Sequence, residues 1–96
     1  MIDEVAERAR TVGGHALGSL HEMLDNKTLK EDTTRGTGAQ HIVRSLLTDH
    51  EHIIKKLRKD LKTCDEKYND MGTSDYLTGL METHEKMAWM LRSHLE

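Results

Sequence analysis

The stretch AQHIVRSLLTDHEHIIKKLRKDLKTCDEKY, residues 39–68, read together with YLTGLMETHEKMAWMLRSHL, residues 76–95, decides the fold. In the first run Val43, Leu47, His50, Ile54, Leu57, Leu61, Cys64 and Tyr68 recur at alternating steps of three and four. In the second, the same steps pick out Leu77, Leu80, His84, Met87, Leu91 and His94. That period lines up one stripe on a helix. Between the runs, Asn69-Asp70-Met71-Gly72-Thr73-Ser74 offers a glycine to end one helix and a hydroxyl to cap the next, which places the reversal there. The predicted element is an antiparallel hairpin of two long helices, residues 39–70 and 74–95. Folding the stripes together layers Tyr68 with Leu77, Cys64 with Leu80, Leu61 with His84, Leu57 with Met87, Ile54 with Leu91 and His50 with His94. The outer faces carry opposite charges at helix spacing, Glu51 with Lys55, Lys56 with Asp60 and Glu82 with Lys86.

Upstream of the hairpin the chain is polar from 26 to 38, and this predicts a surface connection loosened by its glycines. Thr37-Gly38-Ala39-Gln40 has the spacing of a capping box at the start of the long helix. Ser19-Leu20-His21-Glu22 has the same spacing and opens a short helix over residues 20–25. Before it, Ile2, Val5, Ala6, Ala9 and Val12 mark a helix over residues 1–12 that Gly13-Gly14 stops. No capping residue precedes Ile2, so this segment reads as the last turns of a longer helix. Nothing alternates with the period of a strand, and the expected class is all-α.

A chain of 96 residues suits one small domain and buries a limited share of its surface alone. Two helices cover only a strip of each other. Ile42, Leu46, Ile53, Met81, Ala88, Trp89, Met90 and Leu95 widen the apolar surface beyond that strip, so a partner surface is expected. Six methionines and no phenylalanine make the packing aliphatic and adaptable. The net charge of −3, with acids and bases interspersed, supplies no field for nucleic acid, and DNA binding is not supported. The single cysteine, Cys64, excludes a disulfide within the chain and suits a reducing cytoplasm. No run approaches the roughly 18 apolar residues of a membrane span.

Several blocks together resemble the Dps family of miniferritins, in the family's order. They are Asp3-Glu4-Val5-Ala6-Glu7-Arg8, Val12-Gly13-Gly14-His15-Ala16, Thr28-Leu29-Lys30-Glu31, Asp49-His50-Glu51, Thr73-Ser74-Asp75-Tyr76-Leu77 and His84-Glu85-Lys86-Met87-Ala88-Trp89-Met90-Leu91. Ala16 departs from the family, which commonly has proline after the two glycines. The resemblance implies a ferritin-like four-helix bundle with a short crossover helix, assembled in hollow dodecamers that oxidise and store iron; some members bind DNA. It covers the end of the second helix, the crossover helix, and the third and fourth helices. It further implies an iron-oxidising centre between subunits, with histidines from one and an acid pair from the other. Asp3 and Glu7 match the acid pair, and the histidine positions have no counterpart here. Glu66 and Asp75 match acids that line a threefold pore in some members.

Read without the resemblance, Asp3 and Glu7 lie one turn apart, a spacing that lets two carboxylates share a cation and equally describes two solvated acids. His50 and His94, in one layer at the open end of the hairpin, form half of a zinc or iron site that a twofold partner would complete. No Glu-x-x-His pair, phosphate loop or nucleophile–base motif is present. The expected protein is therefore a Dps-like iron-storage chain, a ferritin-like half-bundle that completes a four-helix bundle as a homodimer. It carries the carboxylate half of the centre and has no ferroxidase activity alone. From another class, the alternative is an interaction module that binds a helical protein through the apolar flank near Trp89.

Overall fold

Two glycines end the first helix, α1 (Ile2–Thr11), as their order in the sequence predicts. Gly13 takes φ +90, its amide donates to the Arg10 carbonyl at 3.0 Å, and the Gly14 amide donates to the Ala9 carbonyl at 2.7 Å. This pair of reversed bonds is a Schellman stop. A Cβ on Gly14 would sit 3.1 Å from the Ala9 carbonyl oxygen. Gly13→Ala is expected to cost about 1–2 kcal/mol, because an L side chain is strained at that φ. Faster hydrogen exchange at the Gly14 amide is the measurement.

The computed structural model describes residues 1–31 and 38–96. They form two compact units, Met1–Lys30 and Glu31–Glu96. In the first unit α1 is followed by α2 (Leu20–Asn26), where the Ser19 hydroxyl accepts from the Glu22 amide at 3.1 Å. The box closes differently from the expected reciprocal form. The Ser19 hydroxyl also donates to the Glu22 carboxylate at 3.2 Å.

The second unit is the hairpin of α3 (Ala39–Glu66) and α4 (Met71–Ser93). Gly38, extended at φ −72 and ψ 170, precedes α3; Thr37, the hydroxyl expected to cap it, lies outside the described residues together with the rest of 32–37. The bend comes earlier than expected. The Lys67 and Tyr68 amides fold back on the Thr63 carbonyl at 3.0 and 3.4 Å, and the Asp70 amide reaches the Cys64 carbonyl at 2.7 Å. Asn69, at φ +52, takes the left-handed position that Gly72 was expected to fill. Asp70 then caps α4, its Oδ1 accepting from the Thr73 amide at 3.1 Å. Gly72 is thus helical. Ser74, one of the two hydroxyl residues available as the cap, donates from Oγ to the Leu61 carbonyl across the hairpin at 3.0 Å.

An earlier bend slides α4 along α3 relative to the expected layers. Leu61 meets Ser74 instead of His84, and His50 meets His84 instead of His94. Tyr68, expected to layer with Leu77, falls beyond the end of α3 and is exposed, with the Lys67 ammonium 5.4 Å from its ring. Ala88, expected on the outer flank, is 0 % exposed and with Ile54, at 8 %, makes the buried centre of the seam. Leu57, Leu61, Leu77, Leu80 and Leu91 are half-buried around them. Charges close the edges. Arg92 lies 3.8 Å from Glu51, and Arg58 lies 3.7 Å from Glu85. Among the described residues there is no strand, and no helix is long and apolar enough to cross a membrane.

Candidate functional site

Asp3 and Glu7 stand on α1, separated by one turn, and both are exposed. Asp3 and Glu4 lie in the first turn, where the helix dipole favours negative charge, and Arg8 and Arg10 lie in the last. Thr11 Oγ1 donates to the Glu7 backbone carbonyl at 2.8 Å, so the hydroxyl leaves the Glu7 carboxylate open. Two carboxylates at this spacing can share a cation. They do not enclose one, and among the described residues no three His, Cys, Asp or Glu side chains converge as a metal would require.

The same unit holds a small polar cluster that the sequence reading passed over. His15 Nε2 donates to the Glu22 carboxylate at 3.2 Å, beside the Ser19 hydroxyl. These two bonds, the one from His15 first, hold the Glu22 carboxyl below the usual carboxylate range. All three groups face solvent, so the cluster works chiefly to start α2. The capping box foretold Ser19 and Glu22; His15 joins because the glycine stop turns the chain back toward it.

In the hairpin the chemistry gathers at one histidine pair. His50 of α3 and His84 of α4 bring their Nδ1 atoms to 2.8 Å, with ring centroids 5.0 Å apart and planes tilted by 46°. At that distance one Nδ1 carries a proton and donates while the other accepts. Both side chains are half-buried. Desolvation and, after it, the charge of His50 keep the His84 imidazole below its ordinary pKa. His94 is exposed and joins His50, Leu46, Met87, Met90 and Leu91 along an open groove of about 270 Å³. The two histidines expected to share a layer thus share a groove, and the ring-to-ring contact belongs to His84. Asn69 and Asp70 were the legible signal for it, because one suits a left-handed turn and the other an N-cap, and together they put the bend where His50 faces His84.

Glu66, the last residue of α3, and Asp75, in the second turn of α4, flank the bend and are exposed. The Cys64 thiol is free and half-buried, as its seam position predicts. Trp89 follows the buried Ala88 and is 60 % exposed.

Comparison with known proteins gives this geometry a context. The description "Ferritin-like domain" matches residues 1–96. An uncharacterized low temperature-induced protein of Nostoc sp. is 46% identical over 95 residues, covering 99% of this chain and 53% of its own. The DNA protection during starvation protein 2 of Bacillus anthracis is 34% identical, covering 98% of this chain and 63% of its own. The crystal structure of Dps from Staphylococcus aureus superposes with a TM-score of 0.89 at 32% identity, covering 98% of this chain and 62% of that one. The chain thus spans between about half and two thirds of the length of these relatives. With its whole length matched and its helices superposed on those of Dps, the chain belongs to the ferritin-like family, among the Dps miniferritins.

Proposed function

We propose that this chain takes part in iron storage and detoxification, with Fe²⁺ as its substrate, and that it contributes the carboxylate half of an oxidising centre. The observation that carries the reading is the Asp3–Glu7 pair, exposed one turn apart on α1 just before the glycine stop. It occupies the position that the acid pair holds in the Dps resemblance. Oxidising Fe²⁺ needs the ion held in a fixed, closed set of ligands, and two solvated acids hold it loosely. The chain alone therefore binds Fe²⁺ weakly and does not turn it over.

Isothermal titration without oxygen is expected to give weak Fe²⁺ binding that Glu7→Gln or Asp3→Asn removes. With air admitted, iron oxidation is expected at the rate of buffer alone. Stoichiometric turnover that disappears in Glu7→Gln would mean that the chain completes its own centre.

Self-association belongs to the same reading. Ile42, Leu46 and Met90 are exposed on the hairpin, and a second hairpin related by a twofold axis presents the same surface to cover them. A homodimer forming a four-helix bundle is the assembly we assign. In a larger assembly, Glu66 and Asp75 beside the bend would be the acids available to line an iron path. The single free cysteine and the interspersed charges fit the cytoplasm. DNA protection is in the name of the Bacillus anthracis relative. With a net charge of −3 and interspersed acids and bases, these 96 residues supply no field that attracts DNA.

The exposure of Trp89 favours a second reading, an interaction module that docks a helical protein on this flank. A discrete homo-oligomer supports the first reading; a loosely folded monomer that gains helix on adding a partner supports the second.

A further inference from the structure

We propose that His50 and His84, with Met87, form a binding site for a soft monovalent metal ion, Cu(I), inside the hairpin and separate from the α1 carboxylates. The two imidazole nitrogens already converge across the seam at 2.8 Å, each from a different long helix. Met87 lies one turn beyond His84 on α4 and lines the same groove as His50, so its flexible thioether is the third donor we assign. Three neutral donors, two imidazoles and a thioether, suit a soft ion. A divalent ion seated in a half-buried site would need anionic ligands to offset its charge. None is offered. Of the carboxylates next in sequence to the two histidines, Glu51 faces Arg92 at 3.8 Å and Glu85 faces Arg58 at 3.7 Å, and among the described residues no third His, Cys, Asp or Glu converges with the pair.

The proton and the geometry can both be followed. In the metal-free hairpin one ring bears its hydrogen on Nδ1 and donates it to the other ring. An ion bound to both Nδ1 atoms requires each ring to bear hydrogen on Nε2. One ring therefore changes tautomer, the neutral pair releases no net proton, and the oxidation state of the ion is unchanged. Nitrogens 2.8 Å apart, each about 2.0–2.1 Å from a shared ion, subtend roughly a right angle. Opening them to about 3.5 Å gives a trigonal arrangement with the sulfur, using bond lengths of that size. The half-buried His50 ring lines an open groove, which gives it room for that rotation.

Anaerobic titration of the whole chain with Cu(I) against a chromogenic Cu(I) chelator tests the site. One ion per chain is expected, with affinity reduced about a hundredfold or more in His50→Leu and in His84→Leu, as loss of a ligand requires. Met87→Leu is expected to cost about tenfold, and His94→Ala and Glu7→Gln to change nothing. Equal affinity in the chain and its His84→Leu variant would overturn the proposal, as would a loss on His94→Ala. If the leucine variants do not fold, X-ray absorption of the Cu(I)-loaded chain decides instead. Two imidazoles and one sulfur are expected around copper; one imidazole, or an oxygen shell, rejects the site.

Discussion

Ala88→Leu is expected to destabilise the hairpin by about 1–3 kcal/mol, the cost of forcing extra methylenes into a packed position. Ala88 is the one described residue at 0 % exposure, and its small side chain is what lets α4 lie close against α3 around Ile54. A leucine there separates the helices locally and pulls apart the bonds that depend on their spacing. The bond one turn away on α4 is that of His84 with His50. The neighbouring change Trp89→Ala removes a larger, mostly exposed side chain from the outer face, so it leaves seam packing alone. Urea unfolding followed by circular dichroism is the measurement. The expected result is a lower midpoint for Ala88→Leu with an unchanged slope. An unaltered midpoint would put Ala88 on the outer flank, where its spacing in the sequence suggests.

In sedimentation at micromolar concentration the chain is expected to run at twice the mass of one chain. Ile42 is 52 % exposed and Met90 53 %, with Leu46 exposed between their positions along the hairpin. Leu46 and Met90 line one groove with Met87 and Leu91, so these apolar groups are contiguous. Soluble monomers rarely leave such a patch uncovered. A twofold partner covers it with the same residues, and one charge at its centre breaks both copies of the contact. Leu46→Glu is accordingly expected to give a monomer while the helix content of the hairpin is retained, because Leu46 lies outside the buried seam. A wild-type monomer at this concentration would refute the homodimer. A mass near that of the family's full cage would show instead that cage contacts form without the dimer we assign.

Much of this molecule is legible before any coordinates, and the reason is local chemistry. Gly13 stops α1 because few other residues accept a positive φ, Gly14 follows it where a Cβ would crowd the Ala9 carbonyl, and Ser19 starts α2 because its side chain satisfies the free Glu22 amide. The three-and-four recurrence in 39–68 and 76–95 declares two long helices. Asp3 and Glu7 are one turn apart in any helix that contains them, so their pairing needs no tertiary information. The order of the sequence blocks is enough to raise the resemblance to Dps.

What periodicity leaves open is how far one helix slides along the other, since a seam repeating every three or four residues packs acceptably at several offsets. The bend settles the offset. Gly72 and Asn69 both accept a left-handed backbone, and Ser74 and Asp70 can both cap a helix. The folded hairpin uses Asn69 and Asp70, which frees Ser74 to bond Leu61 across the seam. That choice carries Ala88 into the core, leaves Tyr68 outside, and sets His50 against His84 while His94 remains at the groove. The sequence by itself therefore determined the helices, their caps and the paired acids of α1, because each depends on contacts within a few residues. The tertiary structure alone decided the histidine pairing and the buried alanine, because both depend on which of two chemically suitable turns closes the hairpin.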